Sequence, residues 1–84
     1  METNEIKSII SQGIPSAEVL VDGDGTHFQA VVVASDFEQK NMVQRHQMVY
    51  KSLGNRVGNE IHALTIKAYT PAEWDKQKSF GVIK

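Results

Sequence analysis

The fold is decided by residues 17–34, which read AEVLVDGDGTHFQAVVVA. Their first five residues predict a strand, because Val19 and Val21 recur at the two-residue spacing of one sheet face. Asp22-Gly23-Asp24-Gly25 predicts a turn, since Gly accepts positive φ and Asp can hydrogen-bond its own backbone. The run His27–Ala34 predicts a second strand that is almost entirely apolar. The stretch is therefore a β-hairpin whose second strand lies in the centre of a sheet.

One helix is predicted on each side of this hairpin. The helix before it carries apolar residues at helical spacing and ends at a Gly and a Pro, as helices commonly do: Ile6, Ile9, Ile10, Gly13 and Pro15. The helix after it spans Gln39 to about Leu53, with an expected apolar stripe of Met42, His46, Val49 and Leu53, and with Val43 and Tyr50 beside it.

The C-terminal third predicts one more strand and one more helix. The strand runs from about Ile61 to Tyr69, and Thr70-Pro71-Ala72-Glu73 forms a capping box with Pro at the first helical position. The last helix is predicted to end at about Lys78, before a flexible tail over residues 79–84. The order α-β-β-α-β-α indicates a single α+β domain over residues 1–84, with helices on one face of a three-stranded mixed sheet.

The predicted topology brings two histidines together. A helical crossover between the second and third strands favours a parallel pair, whose N-terminal ends lie about 5 Å apart. His27 opens the second strand and His62 opens the third, so both imidazoles are expected near one end of the sheet. Plainer interpretations stay open: His62 packs against Trp74 or Tyr69, and His27 is a half-exposed residue after a turn. A third histidine, His46, is interpreted as a core or boundary residue of the central helix.

Composition excludes several classes of protein. The chain has no cysteine, which excludes a disulfide framework and any thiolate metal site made by this chain alone. No nucleophile–histidine–carboxylate set is recognisable, so we expect no enzymatic activity. No apolar run approaches the roughly 20 residues that span a bilayer, so we expect a cytoplasmic protein without a membrane partner.

Charge is distributed unevenly along the chain. The formal net charge is −1, but residues 1–38 sum to −6 and residues 39–59 to +4. The positive segment contains no acid, and its cations could contact phosphates: Lys40, Arg45, Lys51 and Arg56. A solvated helix face is the plainer interpretation of the same residues.

Three ordered segments resemble the signature segments of the BolA family: Arg45-His46-Gln47-Met48-Val49-Tyr50, Ile61-His62-Ala63-Leu64-Thr65-Ile66 and Tyr69-Thr70-Pro71-Ala72-Glu73-Trp74. Gly25-Thr26-His27-Phe28 also matches, and the similarity runs from about Glu5 to Trp74. The chain resembles in particular the bacterial acid-stress members of the family. The resemblance implies a KH-like α+β fold, which agrees with the predicted order of elements.

The resemblance also implies a partner and a cofactor. BolA-like proteins pair with monothiol glutaredoxins and share a [2Fe–2S] cluster, whose other ligands are a glutaredoxin cysteine and a glutathione thiol. The family's constant histidine maps to His62. Some members carry a second ligand, Cys or His, in the loop between the first two strands, where this chain has Asp24 and where His27 is the available substitute. Alone, the chain is expected to hold no cofactor and to be a monomer or weak homodimer.

The alternative is a KH-like nucleic-acid-binding transcriptional regulator, for which the four cations would contact phosphates. Gly54 and Gly58 are separated by three residues, however, whereas the KH clamp has two between its glycines. A third possibility is an interaction module that binds glutaredoxin without a cluster.

Overall fold

The computed structural model describes residues 2–24, 26–54 and 63–83, with side chains as far as Gln77. Its elements are α1 (Thr3–Gly13), β1 (Glu18–Gly23), β2 (His27–Val33), a 3-10 helix (Ser35–Phe37), α2 (Met42–Leu53), β3 (Ala63–Tyr69) and α3 (Pro71–Ile83). The predicted order α-β-β-α-β-α is confirmed. The short 3-10 helix is an addition that the sequence pattern did not predict.

The three strands form one mixed sheet with β2 in the centre. β1 pairs with β2 antiparallel and β3 pairs with β2 parallel, as predicted. Side chains alternate in burial along the strands except at the end of β2, where both Val32 and Val33 are buried. The side chains that point to the helices are buried: Val19, Phe28, Ala30, Val32, Ile66 and Ala68. Exposed residues of the opposite face include Leu20, His27, Gln29, Thr65 and Lys67. The helices therefore cover the face that carries the buried side chains, which we call the covered face.

The core lies between that covered face and the helices α1 and α2. Ile6 and Ile10 of α1 and Val49 and Leu53 of α2 are fully buried there. Each such side chain contributes about 1.5–3 kcal/mol by leaving water. The two helices approach so closely that a Cβ atom at Gly13 would collide with the Cβ of Ser52.

α2 begins at Met42, so the predicted start at Gln39 is wrong. Asn41 is the N-cap: its side chain accepts a hydrogen bond from the Gln44 N–H at 2.9 Å, and the Gln44 side chain accepts one from the Asn41 N–H at 3.0 Å. Gln39 has a φ of 66°, which no α-helix accommodates. The capping box of Asn41 and Gln44 thus fixes the first turn three residues later than the apolar pattern suggested.

The face that α2 buries also differs from the predicted stripe. Arg45, Val49 and Leu53 are buried, whereas Met42, Val43 and Tyr50 are 52%, 64% and 41% exposed. The helix is therefore rotated so that a charged residue, rather than Met42, faces the sheet.

The ends of the last two elements differ from the prediction as well. α3 continues to Ile83, so its predicted end at Lys78 is wrong. The flexibility predicted for residues 79–84 stays a prediction. Gly81 weakens a helix by about 1 kcal/mol relative to Ala but does not stop it. β3 is described from Ala63, and Ile61 and His62 lie outside the described residues.

Candidate functional site

The structure places His27 at the N-terminal end of β2, with its side chain exposed. In the parallel register His27 pairs with Ala63, the first residue of β3. The predicted juxtaposition of the two strand starts is thereby confirmed. His62 precedes Ala63 in the sequence but lies outside the described residues, so the meeting of the two imidazoles stays a prediction.

Asp24 holds the backbone that leads into His27. One carboxylate oxygen, Oδ1, accepts hydrogen bonds from the Thr26 N–H at 3.0 Å and the His27 N–H at 2.9 Å. The Asp24 N–H donates to the His27 carbonyl at 3.2 Å. The bond from the His27 N–H, then that from Thr26, lowers the pKa of the Asp24 carboxyl below its ordinary value of 3.8. A charged Asp24 therefore fixes the backbone at the start of β2, including the backbone of His27.

The described residues offer an incomplete ligand set. The exposed imidazole of His27 supplies one ligand nitrogen, and Asp24 has a second carboxylate oxygen, Oδ2, next to the oxygen that holds the turn. Within the part of the chain that the structure describes, no three His, Cys, Asp or Glu side chains lie together so as to hold a metal ion. An iron centre at His27 would need further ligands from other groups.

The hydrogen bonds of the Asp24 carboxylate predict that the stability of the turn depends on pH. Protonation of Asp24 weakens its bonds to the Thr26 and His27 amides, so these bonds stabilise the turn at higher pH and are lost as the pH falls through the lowered pKa. By NMR we expect both amide signals to shift together at a midpoint below 3.8. Asp24→Asn keeps an acceptor oxygen but cannot titrate, so this transition should disappear in that variant. A midpoint at or above 3.8 would contradict the hydrogen bonds.

Arg45 belongs to the interior, which corrects its prediction as a phosphate contact. The residue is 8% exposed, and its Nε donates to the carbonyls of Phe37 at 3.2 Å and Lys40 at 3.0 Å. Its Nη1 donates to the Ala68 carbonyl at 3.2 Å and to Glu73 Oε1 at 2.7 Å. The guanidinium is thus occupied by the 3-10 helix, by β3 and by α3, and is not free to bind nucleic acid.

Glu73 completes this internal ion pair and caps α3 at the same time. Its Oε1 also accepts from the Thr70 N–H at 2.9 Å, and the Thr70 hydroxyl accepts from the Glu73 N–H at 3.3 Å, so the predicted capping box is confirmed. The hydrogen bond from Arg45, and then that from Thr70, lowers the pKa of Glu73 below 4.5. The sequence could have indicated this pair. Arg45 lies four residues before Val49 and eight before Leu53, on the buried face of α2, and Glu73 occupies the capping-box position.

The other cations of the predicted phosphate-binding set are either exposed or lie outside the described residues. Lys40 and Lys51 are exposed, and Arg56 lies outside the described residues, so the described part of the predicted phosphate-binding set is reduced to two lysines. His46 is half-buried, which confirms a boundary position. The rings of Tyr69 and Trp74 contact each other with centroids 5.6 Å apart.

Comparison with known proteins gives consistent matches over most of the chain. The family model described as BolA-like protein matches residues 7–73. The chain is 44% identical to the acid stress protein IbaG of Escherichia coli strain K12 over 82 residues, which cover 96% of this chain and 98% of that protein. It superposes on a BolA protein homologue from Coxiella burnetii with a TM-score of 0.82 and 41% identity, over 89% of this chain and 97% of that one.

A further relative carries a different functional name. The chain is 42% identical over 55 residues to the DNA-binding transcriptional regulator BolA of Haemophilus influenzae, covering 66% of this chain and 53% of that protein. Among residues 2–24, 26–54 and 63–83, no helix is long and apolar enough to cross a membrane.

Proposed function

This chain belongs to the BolA-like protein family, and we propose that it is a cytoplasmic, non-enzymatic adaptor that shares a [2Fe–2S] cluster with a monothiol glutaredoxin. In this proposal His62 is the first ligand from the chain and His27 the second. A glutaredoxin cysteine and a glutathione thiol are the others. The proposed role is in iron–sulfur homeostasis and in acid stress, for which the similarity to a protein named for acid stress is the support.

The observation that carries the proposal is the pairing of His27 with Ala63. It aligns the N-terminal ends of two parallel strands, one of which starts with an exposed imidazole. The neighbouring strand is preceded in sequence by His62, the position to which the family's constant histidine maps. The turn that Asp24 holds fixes the backbone of His27, as a ligand position requires.

The chain's composition supports a cluster that is shared with a partner. Without cysteine the chain can offer no thiolate ligand, so thiolates must come from another molecule. Replacing thiolate by imidazole raises the potential of an iron–sulfur cluster. An imidazole nitrogen binds either a proton or the iron, so ligation weakens as the pH falls. A cluster held in this way suits transfer or acid sensing.

Reconstitution tests the proposal directly. The full chain, a monothiol glutaredoxin, glutathione, iron and sulfide are combined without oxygen, and the product is separated by size and followed by visible absorption and circular dichroism. We expect a 1:1 heterodimer whose spectrum differs from that of the glutaredoxin homodimer. The same mixture without this chain gives the reference spectrum.

Two outcomes of that experiment would overturn the proposal in different ways. If the chain elutes apart from glutaredoxin and the reference spectrum persists, the partner is wrong. If a colourless complex forms while the cluster stays with the glutaredoxin homodimer, the partner is right and the shared cluster is wrong. The second outcome corresponds to an interaction module without a cluster.

A further inference from the structure

Six side chains that are exposed or half-buried lie on the side of the sheet opposite the covered face. We call them the open face: Leu20, Asp22, Gln29, Val31, Thr65 and Lys67. In the register of the sheet they form two rows, each with one residue from β1, one from β2 and one from β3. The first row consists of Leu20, Val31 and Lys67, and the second consists of Asp22, Gln29 and Thr65.

The second row of the open face leads directly to His27. His27 and Gln29 flank the buried residue Phe28, so their side chains leave the same side of β2. Two residues along a strand span about 7 Å, so a group bonded to the His27 imidazole lies beside Gln29. The helices α1 and α2 are on the other side of the sheet. A partner that shares a cluster at His27 therefore has the open face as its adjoining surface.

The far end of this side of the sheet is bordered by α3. Val33 points to the same side as Gln29, yet it is only 5% exposed. Its neighbour in the register is Tyr69, whose ring contacts Trp74 of α3 and whose hydroxyl accepts a hydrogen bond from Gln77 at 3.2 Å. A partner consequently reaches the open face from the His27 end.

The charges on this side of the sheet are divided between its two edge strands. Asp22 and, further along β1, Glu18 are exposed carboxylates, whereas β3 presents the exposed ammonium group of Lys67. The central strand contributes Gln29 and half-buried Val31, which are uncharged. β1 and β3 are about 10 Å apart, so a negative edge and a positive edge lie on either side of an uncharged middle.

This division of charge determines the chemistry of a complementary surface. Such a surface carries cations opposite β1, a carboxylate opposite Lys67 and an apolar side chain against Leu20, which is 45% exposed. Turning the partner by 180° would bring carboxylate against carboxylate and cation against lysine, so one orientation is favoured. A nucleic acid fits poorly here, because its phosphates would meet the carboxylates of β1.

We propose that the glutaredoxin docks on the open face, with cationic side chains over Asp22 and Glu18 and a carboxylate over Lys67. This docking rests on the proposed function, since the shared cluster at His27 is what brings the partner to this end of the sheet. The two charged edges set the orientation in which the glutaredoxin cysteine and the glutathione thiol face His27.

Exchanging the two charges tests the docking at constant net charge. In a double variant, Asp22→Lys with Lys67→Glu, the negative and positive edges trade places. The chain is titrated into the anaerobic mixture of monothiol glutaredoxin, glutathione, iron and sulfide, and visible circular dichroism gives the apparent affinity of the heterodimer. We expect the exchanged chain to bind about tenfold more weakly than wild type, or worse. The difference should shrink at high salt, which screens exposed charges.

A second exchange serves as the matched control. Lys7→Glu with Glu38→Lys also trades two exposed charges, one on α1 and one directly after the 3-10 helix, both outside the open face. This chain should bind like wild type. Because Asp22 accepts a hydrogen bond from the Gly23 N–H at 2.9 Å, Asp22→Asn is a milder variant that keeps an acceptor and should show a smaller loss. Thermal unfolding of each variant reports whether the fold is retained.

The results that would overturn the docking differ in what they mean for the proposed function. If the exchanged chain binds like wild type while His62→Ala loses the heterodimer spectrum, the docking surface is wrong and the shared cluster stands. If wild type itself forms no heterodimer, the docking and the proposed function are both wrong. Equal losses in the exchanged chain and in its control also overturn the docking, because the effect would not be specific to the open face.

Discussion

Replacing Arg45 by Ala should lower the free energy of unfolding by about 3 kcal/mol, because the backbone carbonyl groups that it binds lose a charged donor, and each unsatisfied buried group costs about 1–3 kcal/mol. A domain of this length has a total stability of roughly 4–13 kcal/mol. The midpoint of thermal unfolding should therefore fall by about 15 °C, since each kcal/mol shifts it by about 4–8 °C in small domains. Calorimetry or denaturant unfolding measures the change.

The size of the effect follows from how many segments meet at Arg45. Its guanidinium binds the carbonyls of Phe37, Lys40 and Ala68 and the carboxylate of Glu73. It also lies 5.9 Å from the centroid of the Phe37 ring. In the Ala variant, three backbone carbonyls lose the guanidinium as a donor, although Phe37 keeps its bond from the Lys40 N–H. A nearly closed site is also left empty.

Two variants separate this role from a general effect of charge on α2. Lys51→Ala removes a cation from the exposed side of the same helix and should change stability by less than about 0.5 kcal/mol. Arg45→Lys keeps the charge but cannot reproduce the planar fork of donors, so it should lie between wild type and Arg45→Ala. Equal stability of the Arg45→Ala and Lys51→Ala chains would contradict the structural role.

The pH dependence of the stability difference between wild type and Arg45→Ala identifies Glu73 as the partner of Arg45. The pKa of Glu73 is lowered in the folded chain, so its pairing stabilises the fold above the ordinary value of 4.5 and is lost as the pH falls through the folded value. The stability difference between wild type and Arg45→Ala should accordingly narrow below pH 4.5. Because the Glu73 side chain is 47% exposed, this part of the difference is small.

The hairpin shows what the sequence pattern could predict. Val19 and Val21 alternate with exposed residues, and the Asp-Gly turn joins two strands whose register follows from that alternation. The crossover to β3 then has one favoured hand and direction, so the side-by-side position of the N-terminal ends of β2 and β3 could be predicted without coordinates. These are local patterns combined with a general rule of topology. The pairing of His27 with Ala63 itself comes from the structure.

The buried face of α2 shows what the pattern could not predict. Hydropathy alone assigns Met42 to the core and Arg45 to solvent, and the structure has the reverse. The burial of Arg45 depends on the carbonyl of Ala68 and the carboxylate of Glu73, which are 23 and 28 residues away in the chain. A helical periodicity holds no information about such partners. The role of Asp24 lies between these cases, because short Asp residues at turns often bind backbone amides.

Loss of the proposed shared cluster in a His62 variant is the second large effect that we expect. In the reconstitution with monothiol glutaredoxin and glutathione, His62→Ala should abolish the heterodimer spectrum, because no cysteine in the chain can replace the imidazole. His27→Ala should weaken the spectrum, since its nitrogen is the second proposed ligand. His46→Ala is the control. It removes a half-buried imidazole from α2, on the other side of the sheet from His27, and should leave the spectrum unchanged.

The three variants distinguish ligation from folding when thermal unfolding is measured alongside the visible spectrum. His27 is exposed at the end of β2, so its removal should change the spectrum with little change in stability. Acid release of the cluster adds a second readout, because a histidine ligand is displaced by protons as the pH falls. An unchanged spectrum in His62→Ala would overturn its assignment as a ligand. An unchanged spectrum and acid profile in His27→Ala would instead transfer the second position to Asp24, whose Oδ2 oxygen lies beside the Oδ1 that holds the turn.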